Sequence, residues 1–250
     1  MAAEQHLPSV LTPLYRKLSE SNLLPEFLKG EHGETYFKII ISSWLIMGFL
    51  IILSLIATRR LNKSPGRLQA LMETVVDSLG GLLDSLIGPG GRKYLGLLGT
   101  TFIFVFCLNL LGLIPGMISP TANWNCTISM ALVVIIMVQV YGIKENGWGG
   151  YFKHLAGSPK GFAMWVMAPM MFPLHILGEL IKPVSLSLRL FGNISGEDTI
   201  IIALVNMGFP MMPLQIVMFF FAVFTSFLQA FIFTALSSIY IMLLTAHEEH

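Results

Sequence analysis

The sequence predicts an all-α integral membrane protein with about five membrane-embedded helices, the last two unusually long, plus one amphipathic helix. Three observations carry this expectation. Hydrophobic residues make up 54% of the 250 and charged residues only 12%, against a charged fraction of roughly a quarter in ordinary soluble domains. Uncharged stretches run from Ile39 to Ala57, from Tyr94 to Ile143 and from Thr199 to Ala246, each long enough for the roughly 20 residues of a bilayer-crossing helix. The ionisable groups expected at membrane depth are concentrated in one segment, between His175 and Asp198.

Residues 1–38 read as an external polar segment and 39–250 as a single membrane domain. The first thirty residues carry Glu4, Arg16, Lys17, Glu20 and Glu26 without a continuous apolar run, so a cleaved signal peptide is not expected and the first span, 39–58, should stay as an anchor. Arg59, Arg60, Lys63 and Arg67 follow it with no acid among them. By the positive-inside rule this loop is cytoplasmic and the N-terminus outside.

Over 67–87 the apolar positions Leu68, Leu71, Met72, Val75, Val76, Leu79, Leu82, Leu83 and Leu86 recur at helical spacing, with Glu73, Asp77 and Asp84 on another face. That pattern predicts an amphipathic helix. Its acidic polar face does not suit anionic lipid, so it should pack against protein. Gly88-Pro89-Gly90-Gly91 ends it.

The next apolar region is broken at Pro115, Gly116, Ser119, Pro120 and Asn123, which divides it into spans 94–114 and 126–143 joined outside. A polar cytoplasmic loop with Lys144, Lys153 and Lys160 follows. Two further helical stretches, 161–209 and 213–246, meet at a turn near Gly208 and Pro210. At about 1.5 Å per residue these run about 70 and 50 Å, far more than the ~30 Å hydrocarbon core. They must be broken or strongly inclined.

The segment PLHILGELIKPVSLSLRLFGNISGEDT holds His175, Glu179, Lys182, Arg189, Glu197 and Asp198. Ionisable groups at membrane depth cost several kcal/mol each, which makes them functional candidates by default. At 100° per residue, His175, Gly178, Lys182, Ser185, Asn193 and Gly196 fall within about 40° of Arg189, whereas Glu197 lies about 80° and Asp198 about 180° away. Arg189 therefore sits on a stripe of small residues, which lets another helix approach closely. Positions 185, 186, 192 and 193 carry no acid, so the arginine's partner charge is expected on another chain.

Each of these residues also has a plainer reading. Arg189 could pair with Glu179 or a helix carbonyl and fix helix packing. Lys182 and Glu179, three apart, suit an intrahelical ion pair or snorkelling at an aqueous edge. His175 fits either a wet cavity or a satisfied structural role, and it has no second histidine at metal-ligand spacing. The tail His247-Glu248-Glu249-His250 reads as solvated. In the last helix Ala222, Ser226, Gln229, Phe233, Ser237 and Tyr240 share a face, and Gln229, the most polar, suits an amide bonding another helix.

Several function classes fall away. A net charge of +1 without basic blocks excludes a nucleic-acid binder. Cys107 and Cys126 form no ligand set or disulfide framework. No nucleophile–base pair, phosphate loop or zinc signature appears, and no cofactor is implied. A secondary transporter would need its own substrate site and usually inverted repeats, of which none is visible. A structural scaffold would tolerate neutral replacements of Arg189.

The stretch KPVSLSLRLFGN, the run LNLLGLIPG with PTANWN after it, and LQAFIF before a tail ending EEH together resemble subunit a of the F-type ATP synthase over about residues 38 to 250. The resemblance implies a fold whose last two helices form a long, strongly tilted pair, and a non-catalytic subunit that translocates an ion, in the favoured case a proton, through two aqueous half-channels against a rotating ring of c subunits. It further implies contact with peripheral-stalk subunit b, the rest of the F-type complex and membrane lipid, in a bacterial inner membrane or, as a second choice, a thylakoid membrane, with the C-terminus cytoplasmic. The family's essential arginine maps onto Arg189 and its glutamine onto Gln229. Asp198 stands where many members carry an acid nine positions after the arginine, with Glu197 an additional acid before it. Ala222 stands where some bacterial members have a histidine.

Overall fold

The computed structural model describes residues 11–21, 25, 28, 33–59, 66–114, 116–155 and 162–245. Arg60, Lys63, Pro115, Lys160 and the tail His247-Glu248-Glu249-His250 lie outside the described residues. Every long element is a helix: α1 (Thr12–Glu20), α2 (Gly33–Thr58), α3 (Arg67–Ile87), α4 (Leu95–Leu111), α5 (Trp124–Leu155), α6 (Phe162–Asn206) and α7 (Met212–Thr245). No strand occurs among the described residues.

Among the described residues, four helices are long and apolar enough to cross a membrane, over Gly33–Thr58, Gly91–Leu111, Trp124–Tyr151 and Phe209–Thr245. This is an all-α integral membrane protein. Their outward faces are apolar, as a lipid environment requires: Trp44, Ile52 and Leu55 on α2 and Phe220 and Phe224 on α7 are all more than half exposed. The fifth embedded element, α6, is the longest but is set apart by the ionisable groups along it.

Helix α2 begins at Gly33, ahead of the apolar run. An i,i+4 ion pair at 2.6 Å between Glu34 and Lys38 extends its first turn. Before it, α1 packs its Tyr15 ring 5.4 Å from Phe37, and the Tyr15 hydroxyl donates to the Leu28 carbonyl at 2.9 Å.

The amphipathic pattern over 67–87 is realised as α3. Its apolar face, through Leu79 and Leu83, joins a buried cluster shared with Leu98 and Val105 of α4, Val134 and Val138 of α5, Leu186 and Leu190 of α6, and Phe233 and Ile241 of α7. The protein against which α3 packs includes its own chain. Its acidic face holds Arg92, whose Nε donates to Asp84 at 3.0 Å, with Asp77 at 3.7 Å. Gly91 fits under this corner because it lacks a side chain: a Cβ there would stand 2.4 Å from the Leu83 carbonyl oxygen.

The polar break after α4 is a buried hydrogen-bonded knot. Thr121 donates to Asn109 Oδ1 at 2.7 Å, and its oxygen lies 2.7 Å from that of Ser119. The segment is tied onward, since Ser195 on α6 donates to the Ala122 carbonyl at 3.1 Å and Trp124 meets Phe191 edge-on at 6.0 Å.

Where the sequence led us to expect a loop from Lys144, α5 continues to Leu155. It changes direction at Gly147, whose φ of 67° and ψ of 167° lie outside the helical region and suit a residue without Cβ. Lys93, in the turn just before α4, meets Glu145 on α5 at 2.9 Å, and Asn146 donates to the Leu244 carbonyl near the end of α7. The start of α4 and the ends of α5 and α7 therefore share one side of the bundle.

Of the two options for the long helices, α6 is unbroken through 45 residues and α7 through 34. Pro169, Pro173 and Pro183 do not interrupt α6. Rods of about 67 and 51 Å exceed the hydrocarbon thickness, so they cannot stand upright within it. The pair folds back on itself at Gly208 (φ 81°).

Candidate functional site

Helix α6 presents two different sides. One is buried through Leu186, Leu190 and Ile194 against the shared core. The other is open and carries Gly178, Ser185, Arg189, Gly192, Asn193 and Gly196, all exposed. A Cβ added at Gly178, Gly192 or Gly196 would meet nothing within 4 Å. Packing within the chain therefore does not require small residues there.

Arg189 lies on this open side, and among the described residues it has neither a hydrogen-bond nor an ion-pair partner. The plainer reading, a local pair with Glu179, is not realised. Glu179 is engaged instead by Lys182, which donates to Oε1, and by Gln139 of α5, which donates to Oε2. The Lys182 ammonium also stands 4.8 Å over the Tyr240 ring of α7. One cation of α6 is thus neutralised within the chain while the other is left open.

One turn after Arg189, Asn193 donates to the Gln229 carboxamide oxygen at 2.8 Å. Gln229 is only 1% exposed, and its Nε2 has no partner among the described residues. The sequence-predicted face of α7 is turned inward: Ala222, Ser226, Phe233 and Ser237 are buried as well. Arg189 and Gln229 therefore do not share one open surface. Arg189 is open, and Gln229 reaches that surface only through Asn193.

Toward the α6–α7 turn, Glu197 is buried and accepts a hydrogen bond from the Thr225 hydroxyl at 2.7 Å through Oε2. Its other oxygen, Oε1, has no partner among the described residues. Asp198 is less enclosed. At the other end of the pair, His175 places Nδ1 3.0 Å from the Met171 carbonyl. It also lines an open cavity of about 370 Å³ with Gly178, Glu179 and Lys182 of α6 and Leu243 and Leu244 of α7.

From Glu179 to Asp198, then, the ionisable groups form two clusters separated along α6 by Arg189. The sequence model of the ATP synthase A chain family matches residues 40–242. The chain belongs to this family.

Among curated members, ATP synthase subunit a of Protochlamydia amoebophila (strain UWE25) is 35% identical over 97% of this chain and 90% of its own length. ATP synthase subunit a of Geobacter sulfurreducens is 39% identical over 94% and 95%. ATP synthase subunit a 3 of Pelobacter propionicus reaches 42% over 80% and 83%. The family match takes in the Arg189 segment, the PTANWN knot and Gln229.

Gln139, Tyr151 and Thr225 were not singled out from the sequence. Gln139 carried a usable signal, as an amide isolated in the apolar run from Ile128 to Ile143. Thr225 carried none, because a threonine in a membrane helix commonly bonds its own backbone, as Thr225 also does to Ala222.

Proposed function

We propose that this chain is the ion-translocating stator subunit of a rotary ATP synthase in a bacterial inner membrane, carrying protons between two aqueous half-channels and a ring of c subunits. In this reading it is a non-catalytic subunit, the peripheral stalk's subunit b and the remaining complex hold it against rotation, the N-terminus lies outside and the C-terminus is cytoplasmic.

The observation that carries the reading is Arg189, a guanidinium without an ion-pair partner among the described residues, on an open strip of small residues. Each ring subunit brings a carboxylate that must be neutral while it faces lipid, because burying its charge is too costly. Beside Arg189 it must ionise. Two unit charges at about 4 Å attract by about 4 kcal/mol at an effective dielectric of 20, roughly three pKa units, enough to release the proton.

The pair must also separate again. The membrane potential supplies only about 2.3 kcal/mol per charge per 100 mV, so a dry, tightly held ion pair would stall rotation. Exposure beside Ser185, Gly192 and Asn193 supports a hydrated, loosely held one. The same fixed charge repels a cation that would otherwise leak between the half-channels.

On this assignment Glu197 and Asp198 belong to the outside half-channel, and the cavity with His175, Glu179 and Lys182 to the cytoplasmic one. Gln229 and Asn193 serve as uncharged hydrogen-bonding groups next to Arg189, and Ser185 keeps the approach polar. Ion-driven ATP synthesis in vesicles carrying Arg189→Ala tests the reading.

A further inference from the structure

We propose that Gln139 and Tyr151 of α5 are positioning residues for Glu179, so that ion passage at the His175–Glu179–Lys182 cavity depends on a hydrogen-bond chain running from α5 to α6. This rests on the ion-translocating reading above and assigns roles to two residues outside the α6–α7 pair.

Tyr151 Oη donates to Gln139 Oε1 at 2.9 Å, and Gln139 Nε2 donates to Glu179 Oε2. Lys182 holds the other carboxylate oxygen. Glu179 is thereby fixed from two sides, by a charged neighbour on its own helix and a neutral amide on another. Each end of the Gln139 amide is used once, and an amide in a membrane span is otherwise unfavourable.

The Tyr151 contact depends on the fold of α5. Twelve residues of straight helix separate two positions by about 18 Å, beyond the reach of a tyrosine and a glutamine side chain. The turn at Gly147 brings the end of α5 back, and its positive φ of 67° favours glycine. The kink, the hydroxyl and the amide thus act on one carboxylate at the cavity wall. An ion-transfer group held on both oxygens keeps one geometry through each cycle, whereas a free glutamate would sample several rotamers.

The test uses inverted vesicles carrying the whole ATP synthase at matched complex levels, read by ion-driven ATP synthesis. Gln139→Leu is expected to lower the rate about tenfold or more, the scale of one hydrogen bond to a charged group, and Tyr151→Phe to lower it less. In a Glu179→Gln background, itself impaired, both substitutions should add almost nothing, because the group through which they act is already altered. Equal fold-losses in both backgrounds, or undiminished synthesis in Gln139→Leu or in Glu179→Gln, would overturn the proposal. If Gln139→Leu reduces assembly, Tyr151→Phe, which removes a single hydroxyl, carries the same comparison. Arg189→Ala is run alongside: if it is inactive while the Gln139 pattern fails, only this inference falls, and if it synthesises normally the ion-translocation reading falls with it.

Discussion

Asn193 and Gln229 join the two long helices by a 2.8 Å hydrogen bond one turn beyond Arg189. Asn193 is exposed and Gln229 buried, so the bond links the open face of α6 to the inward face of α7. Its loss changes hydrogen bonding but no net charge, which sets its expected rank.

Gln229→Leu should weaken coupled synthesis by roughly tenfold or less, corresponding to about 1 kcal/mol for a neutral hydrogen bond, and should do so less than removal of Arg189. Synthesis rates of the two variants at equal complex levels check the order. A larger loss in Gln229→Leu would place the essential group on α7.

The paired acids should not be equivalent. Asp198→Asn is expected to impair ion-driven synthesis more than Glu197→Gln, with the double amide variant worst. Glu197 is already half satisfied by Thr225, and an amide can keep that contact by accepting the same hydroxyl. Near-normal rates in the double variant would remove both acids from the ion path.

A packing prediction is independent of transport. Gly91→Ala places a methyl 2.4 Å from the Leu83 carbonyl oxygen, where backbone on both sides must move. Overpacking of this kind costs about 1–3 kcal/mol, so the variant should show a reduced amount of assembled complex or earlier thermal inactivation, measured on detergent-extracted protein. Unchanged thermal behaviour would mean that the corner between α3 and α4 yields more easily than its contacts indicate.

Much of the fold is legible in the sequence because each membrane helix carries its own signal. The uncharged run of α2, the 67–87 periodicity of α3 and the Gly88–Gly91 stop are local features; α3 spans Arg67–Ile87, whereas α2 starts at Gly33, ahead of its uncharged run. The continuation of α5 past Lys144 was not visible, because polarity suggested a loop and a single glycine decides between a stop and a kink. At the site, the helical wheel placed Arg189 with Gly178, Ser185, Asn193 and Gly196, since angle along one helix depends only on residue number. Contacts between helices were not accessible in this way: Gln139 with Glu179, Thr225 with Glu197 and Asn193 with Gln229 are 40, 28 and 36 residues apart, and depend on how the helices pack.

Arg189→Lys probes geometry against charge. An ammonium retains the positive charge but is a compact, strongly hydrated point donor without the planar guanidinium's spread of five N–H groups. Synthesis should fall at least tenfold. Full activity in the lysine variant would mean that charge alone suffices at this position.

The central claim is tested most directly by ion-driven ATP synthesis in vesicles that contain the complete complex with Arg189→Ala, at assembly equal to that of the unmodified protein. Because Arg189 is exposed and makes no ion pair among the described residues, its removal should leave the complex assembled and abolish coupled synthesis. Assembled complex that still makes ATP at the normal ion-driven rate would contradict the account.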